Sequence, residues 1–157
     1  MRRRAQICES SNLAAAPQAV FERVMSADGI NFEMAPFLRM TVPRGLEELD
    51  LARVRPGRLG RSWILLFGLV PVDYDDLGLE RIEPDRGFLE RSTMLSQRLW
   101  EHERTIEPRP GGGCTVTDRV AWEPRLPLPG RLLAPLFGAF FRHRHRRLRR
   151  HFGTATG

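Results

Sequence analysis

Residues 98–106 read Arg98-Leu99-Trp100-Glu101-His102-Glu103-Arg104-Thr105-Ile106. Side chains on a strand point alternately to its two faces. Trp100, His102, Arg104 and Ile106 therefore share one face, and Glu101, Glu103 and Thr105 share the other. The sequence Pro108-Arg109-Pro110-Gly111-Gly112-Gly113 follows as a flexible hairpin loop. Beyond it, 115–123 reads as another strand, with Val116, Asp118, Val120 and Trp122 on a common face. Arg104 and Asp118 are then placed to pair across the two strands, a structural role.

The same pattern continues upstream. Glu83-Pro84-Asp85-Arg86-Gly87 is a turn between strands at 74–82 and 88–95. A continuous apolar strand at 61–70 precedes a turn at Pro71. Shorter strands are expected at 37–42 and 49–54, with Pro56-Gly57 and Leu59-Gly60 as turn signals. Strands joined by turns every ~8–12 residues indicate an antiparallel meander.

The ends of the chain carry helices. Pro17 to Met25 has proline in the first turn and an apolar stripe of Val20, Phe21, Val24 and Met25, the spacing of one helix face. A strand at 6–13 precedes it. A second, very short helix is expected at 30–35, after Asp28-Gly29 and before Pro36. Near the other end, 131–152 reads as one long helix. Leu133, Leu136, Phe137, Phe140, Phe141, Leu148 and Phe152 recur on one side of it, and Pro135 falls in its opening turn. The expected class is α+β: a strand, two short helices, about six further strands and a long terminal helix.

Composition limits what such a fold can be. A chain of 157 residues, 41% hydrophobic and 28% charged, has the size of one domain able to bury a core without a disulfide or metal. A single domain over 1–157 is expected, with flexible tips at about 1–4 and 153–157. All 25 of its basic residues are arginine, which fits the codon usage of a GC-rich genome, and the net charge is +6. Arg2, Arg3 and Arg4 put +3 at one tip. The seven arginines between Arg131 and His151 put +7 at the other, which leaves the body at −4. That distribution argues against a nucleic-acid binder, whose basic surface would be continuous.

Cys8 and Cys114 match no disulfide or zinc framework. Residues 5–10 are too polar to follow Arg2–Arg4 as a signal peptide. The apolar run 63–72 has about half the length that spans a bilayer. A cytoplasmic protein is expected.

Three segments carry a family resemblance. Ala16-Pro17-Gln18-Ala19-Val20-Phe21 resembles the opening of the first helix in the START-like (SRPBCC) superfamily. Trp100-Glu101-His102-Glu103-Arg104 is similar to a strand of some of its bacterial members, and Arg142-His143-Arg144-His145-Arg146-Arg147-Leu148 resembles the end of their last helix. The resemblance covers about 7–152 and is nearest the polyketide cyclase/dehydrase-type branch. It implies the helix-grip fold, a curved antiparallel sheet of six or seven strands wrapped around the C-terminal helix, with a cavity between them. The superfamily includes carriers, cyclases and receptors, so the fold alone does not assign a function.

Such a cavity implies a small hydrophobic ligand, lipid or polyketide-like. Its expected walls are Phe32, Met34 and Phe37 at the mouth, and Trp63, Leu65 and Phe67 on one strand. Met94 and Trp100 on other strands, and Leu133, Phe137, Phe140 and Phe141 on the helix, complete them. Each of these residues also suits a plain core. His102, on the face of Trp100, is the candidate for orienting a ligand carbonyl or moving a proton; the alternative is a histidine held by the sheet or by solvent. Tyr74 with Asp73, Asp75 and Asp76 forms a second polar group, for which solvation beside a turn is the simpler reading.

No Ser-His-Asp order, phosphate loop or zinc motif is present, and no catalytic set, cofactor or metal is expected. His143 and His145 point different ways on a helix. Arg142, Arg146, Arg149 and Arg150 suit a solvated helix end, or contact with an anionic membrane or a partner. The expected activity is binding of a hydrophobic molecule. A cyclase- or dehydratase-like enzyme is the alternative, and a peripheral membrane module the third reading.

Overall fold

The computed structural model describes residues 4–46 and 50–156. Seven strands form one antiparallel sheet: β1 (Ala5–Leu13), β2 (Leu38–Met40), β3 (Gly57–Leu66), β4 (Val70–Glu83), β5 (Gly87–Met94), β6 (Gln97–Pro108) and β7 (Cys114–Pro124). Their spatial order is β1-β7-β6-β5-β4-β3-β2. Helices α1 (Pro17–Val24) and α2 (Ala27–Met34) follow β1. A 3-10 turn, Gly130–Leu133, leads into the long α3 (Ala134–Phe152). The sheet curls into a half-barrel around α3, which is the helix-grip arrangement.

Local chemistry explains the element boundaries. Pro17 opens α1, which buries Val20, Phe21 and Val24. The Ser26 hydroxyl caps α2 by accepting the Gly29 N–H at 3.0 Å, so Asp28 and Gly29 lie within the helix rather than before it. The Asn31 side chain accepts from the Met40 N–H at 2.8 Å and donates to the Met40 carbonyl at 3.1 Å. This bidentate contact ties β2 to α2. At the other end, Gly153 at φ 76° closes α3, and the following residues return to β1, where Leu13 bridges Thr154.

Two of the expected elements differ. Residues 50–54 form a turn instead of a strand, and Leu49 lies outside the described residues. Asp50 Oδ1 accepts the Ala52 N–H at 3.1 Å, the local bond by which aspartate competes with strand pairing. Leu51 still contributes to the core, 4% exposed. The β3–β4 turn falls at 67–69, where Phe67 and Gly68 take positive φ, and not at Pro71. Pro71 lies in β4 opposite Leu65, beside an irregularity at which Val72 is the extra residue.

The apolar interior has two parts. The larger joins Leu13, Phe21, Met25, Leu79, Ile106 and Leu148 beneath α1. The smaller groups Val120, Trp122 and Phe141 with Trp100, Phe137 and Leu133. Charged residues occupy the space between them.

Candidate ligand-binding site

The inward face of β6 and β7 carries His102, Arg104 and Asp118 into the interior, all of them buried. Arg104 uses its whole guanidinium fork. Nε and Nη2 donate to Asp118 at 2.7 Å each, and Nη1 donates to Glu33 of α2 at 2.6 Å. Arg144 of α3 donates twice to Glu33, at 2.9 and 2.6 Å. Asp118 also lies 2.9 Å from both His102 Nε2 and His145 Nε2. His145 Nδ1 continues at 2.7 Å to Ser11, whose oxygen accepts from Arg149 at 2.6 Å. The network thus joins five elements, β1, α2, β6, β7 and α3. In low dielectric only such mutual pairing keeps so many charges ionised.

The proton affinities follow from that pairing. Burial pushes the Asp118 carboxyl up, but Arg104 and His102 hold it well below the usual carboxylate range. Burial opposes ionisation of Glu33 too, and Arg104 and Arg144 together leave it below its ordinary value. Burial disfavours charge on His102, yet Asp118 and the nearby Glu90 raise its affinity for a proton.

Beside the network a cavity of about 540 Å³ opens between the sheet and the first turns of α3. Its walls are mostly apolar. Met34, Phe37, Met94, Trp100, Phe137, Phe140 and Phe141 line it as the sequence suggests, and His102 reaches it from the network. The cavity's polar side is formed by Asp73, Asp75, Glu90 and Ser96, with His143 and Arg144 from α3. Asp73 accepts the N–H groups of Tyr74 and Ser96, together with the Ser96 hydroxyl. This fixes the β5–β6 turn at the cavity's edge.

Asp75 is different. It is 4% exposed, and its Oδ1 has no hydrogen-bond partner among the described residues. Burial, then the Glu90 carboxylate, push its pKa well above the ordinary 3.8. Glu90 itself, held ionised by His102 against the effect of burial, lies below its ordinary value. The two facing acids are therefore shifted in opposite directions, Asp75 toward the protonated form and Glu90 toward the carboxylate.

Five expected wall residues, and Tyr74 of the second polar group, lie elsewhere. Trp63 and Tyr74 stack edge to face at 5.6 Å between ring centres, with Arg61 over the Tyr74 ring, on the outer side of the sheet. Leu65 shares the parity of Trp63, so Ile64 and Leu66 face the cavity instead. The run 63–67 is apolar on both faces, and composition there cannot fix which residue points inward. Phe67 is at the turn, 62% exposed. Phe32 is clasped from outside by Arg23 and Arg147, while Leu133 joins the smaller core.

Asp75 has moved from the solvated acid group to the interior; Asp76 remains outside, paired with Arg61 at 2.9 Å. Of the terminal arginines, Arg142, Arg146 and Arg150 are exposed, whereas Arg149 is half-buried on Ser11. Among the described residues no cluster of side chains has the geometry to hold a metal ion, and no helix is long and apolar enough to cross a membrane.

Glu33, Ser62 and Glu90 are not singled out by the sequence reading, and Asp75 is grouped there with the solvated acids. Alternation with Leu77 and Leu79 marks Asp75 as inward, and alternation with Phe88 and Met94 does the same for Glu90. Glu33 carries no local signal, since its partner Arg104 is 71 residues away.

A half-barrel sheet closed on a long C-terminal helix, with an apolar cavity between them, defines a START-like (SRPBCC) fold. A solved Chromobacterium violaceum protein superposes with a TM-score of 0.72 at 13% identity, over 96% of this chain and 99% of that one. A START superfamily protein from Mycobacterium smegmatis gives 0.69 at 14% identity, covering 94% and 96%. DynU16, a protein of the dynemicin biosynthetic locus, gives 0.58 at 15% identity; the match covers 95% of this chain and 48% of that one. Residues 11–152 match the family described as Domain of unknown function (DUF8410), and the chain belongs to it. No curated protein matches the chain in sequence.

Proposed function

We propose that this protein binds a small hydrophobic molecule, lipid or polyketide-like, in the cavity between the sheet and α3, and does so without chemistry. The observation that carries the reading is the 540 Å³ apolar cavity beside a hydrogen-bonded charge network. A volume of that size is typical of small-molecule sites. Native mass spectrometry of protein purified from its host, with a thermal-shift panel of lipids and polyketides, tests it. The expected result is a bound apolar species and a raised melting temperature. An empty protein that no panel member stabilises overturns the reading.

The paired acids Asp75 and Glu90 beside His102 favour a second reading, a cyclase- or dehydratase-like enzyme in which the protonated acid polarises a carbonyl. Conversion of a polyketide substrate that stops in His102→Gln separates the two. The exposed stripe of Arg142, Arg146 and Arg150 supports a third, weak contact with anionic membranes. Salt-sensitive co-sedimentation with anionic vesicles tests that contact. The protein is expected to act in the cytoplasm, with no cofactor and no nucleic-acid partner.

A further inference from the structure

Ser62 of β3 and Asp75 of β4 are register partners on neighbouring strands. Both are buried, at 0% and 4% exposure, and Ser62 Oγ and Asp75 Oδ1 each have no hydrogen-bond partner among the described residues. An unpaired buried polar atom is costly, and here two such atoms lie on directly opposed residues. Asp75 lines the cavity. Every neighbouring acid is engaged: Glu90 by Ser92 at 2.9 Å, Asp73 by Ser96 and the Tyr74 N–H.

We propose that Asp75, the member of the pair that lines the cavity, forms a subsite for a hydroxyl group, so that the molecule held there is a neutral apolar alcohol or phenol. This rests on reading the cavity as a ligand site. The chemistry of the pair selects the group. A serine hydroxyl and a neutral carboxyl each donate and accept. A ligand hydroxyl also does both, and can satisfy Asp75 Oδ1. A ligand carboxylate would meet Glu90 and Asp73 at close range. A ligand ammonium would lose its hydration beside Arg144 and His102, which already balance the local carboxylates. A hydrocarbon would leave Asp75 Oδ1 unpaired.

Fluorescence titration with pyrene, 1-hydroxypyrene, 1-pyrenecarboxylate and 1-pyrenemethylamine tests the subsite at neutral pH. We expect 1-hydroxypyrene to bind at least tenfold more tightly than pyrene. In Ser62→Ala combined with Asp75→Leu that ratio should fall to about one, while pyrene affinity holds. Retained pyrene binding also shows that the variant is folded. Equal binding of pyrene and 1-hydroxypyrene to the native protein overturns the subsite and leaves the cavity reading standing. Tightest binding by the carboxylate or the ammonium overturns the hydroxyl assignment. Failure of all four probes to bind removes the cavity reading and the subsite with it.

Discussion

Arg104 and Asp118 face one another on adjacent strands, and their side chains meet through two hydrogen bonds of 2.7 Å with neither residue more than 1% exposed. Arg104 reaches Glu33 on the other side, so one guanidinium holds the sheet to α2. Removing one partner of a buried pair leaves the other charged and unsolvated, at about 3–5 kcal/mol. Arg104→Leu is expected to lose that much in urea unfolding. Arg104→Lys should recover only part of the loss, because an ammonium cannot reproduce the bidentate fork. Native-like stability in Arg104→Leu would show that the network is not structural.

The two kinds of buried acid give opposite pH signatures. Asp118 and Glu33 have depressed folded pKa values, so their contribution is present above the ordinary 3.8 and 4.5 and lost as pH falls through the folded values. Asp75 has a raised one. The folded state holds its proton more tightly than the unfolded state does. Its contribution is complete below 3.8 and is lost as pH rises through the folded value. Asp75→Asn should therefore match the native protein near pH 3 and exceed it in urea midpoint by a margin that grows toward neutrality. A constant difference across pH 3–8 would contradict the assignment of Asp75 as the protonated acid.

Gly87 opens β5 at φ 134°, where an added Cβ would come within 1.9 Å of the Arg104 carbonyl oxygen. Backbone cannot yield as a side chain tip would. Gly87→Ala is expected to cost more than about 2 kcal/mol, through strain at a special φ and displacement of β6. Gly111, in the loop after β6, has open space around it, and Gly111→Ala should be neutral within ~0.5 kcal/mol. Comparing the two melting temperatures checks the claim that β6 is held in place from this turn.

The parts of the fold legible in the sequence were those with a clean period. Strands β6 and β7 alternate between sharply different side chains, so Trp100, His102, Arg104 and Asp118 could be placed inward and the Arg104–Asp118 pair anticipated. Strand β3 offers no such contrast, and Ile64 and Leu66 replaced Trp63 and Leu65 at the wall. The cluster of three aspartates at 73–76 looked solvated by composition. Position alone separates them: Asp75 alternates with Leu77 and Leu79, while Asp76 points out to Arg61. The link from Arg104 to Glu33 depends on how α2 docks, which no local pattern encodes.

Charge at the end of α3 divides the same way. Arg144 donates to Glu33, Arg147 Nε donates to the Phe32 carbonyl at 3.0 Å with its guanidinium over the Phe32 ring, and Arg149 donates to Ser11. Arg142, Arg146 and Arg150 face solvent. Truncating the first group removes contacts that dock the helix, so Arg144→Ala should lose about 3–5 kcal/mol by stranding Glu33. Arg147→Ala should lose about 1–2 kcal/mol from a charged hydrogen bond and a cation–π contact. Arg146→Ala should stay within ~0.5 kcal/mol of the native protein. If the exposed arginines bind anionic membrane instead, Arg142, Arg146 and Arg150 replaced together by Gln should weaken vesicle binding without lowering the unfolding midpoint. Equal loss of stability in both groups would mean that the exposed stripe is also structural, and that none of the terminal charge is free for a partner.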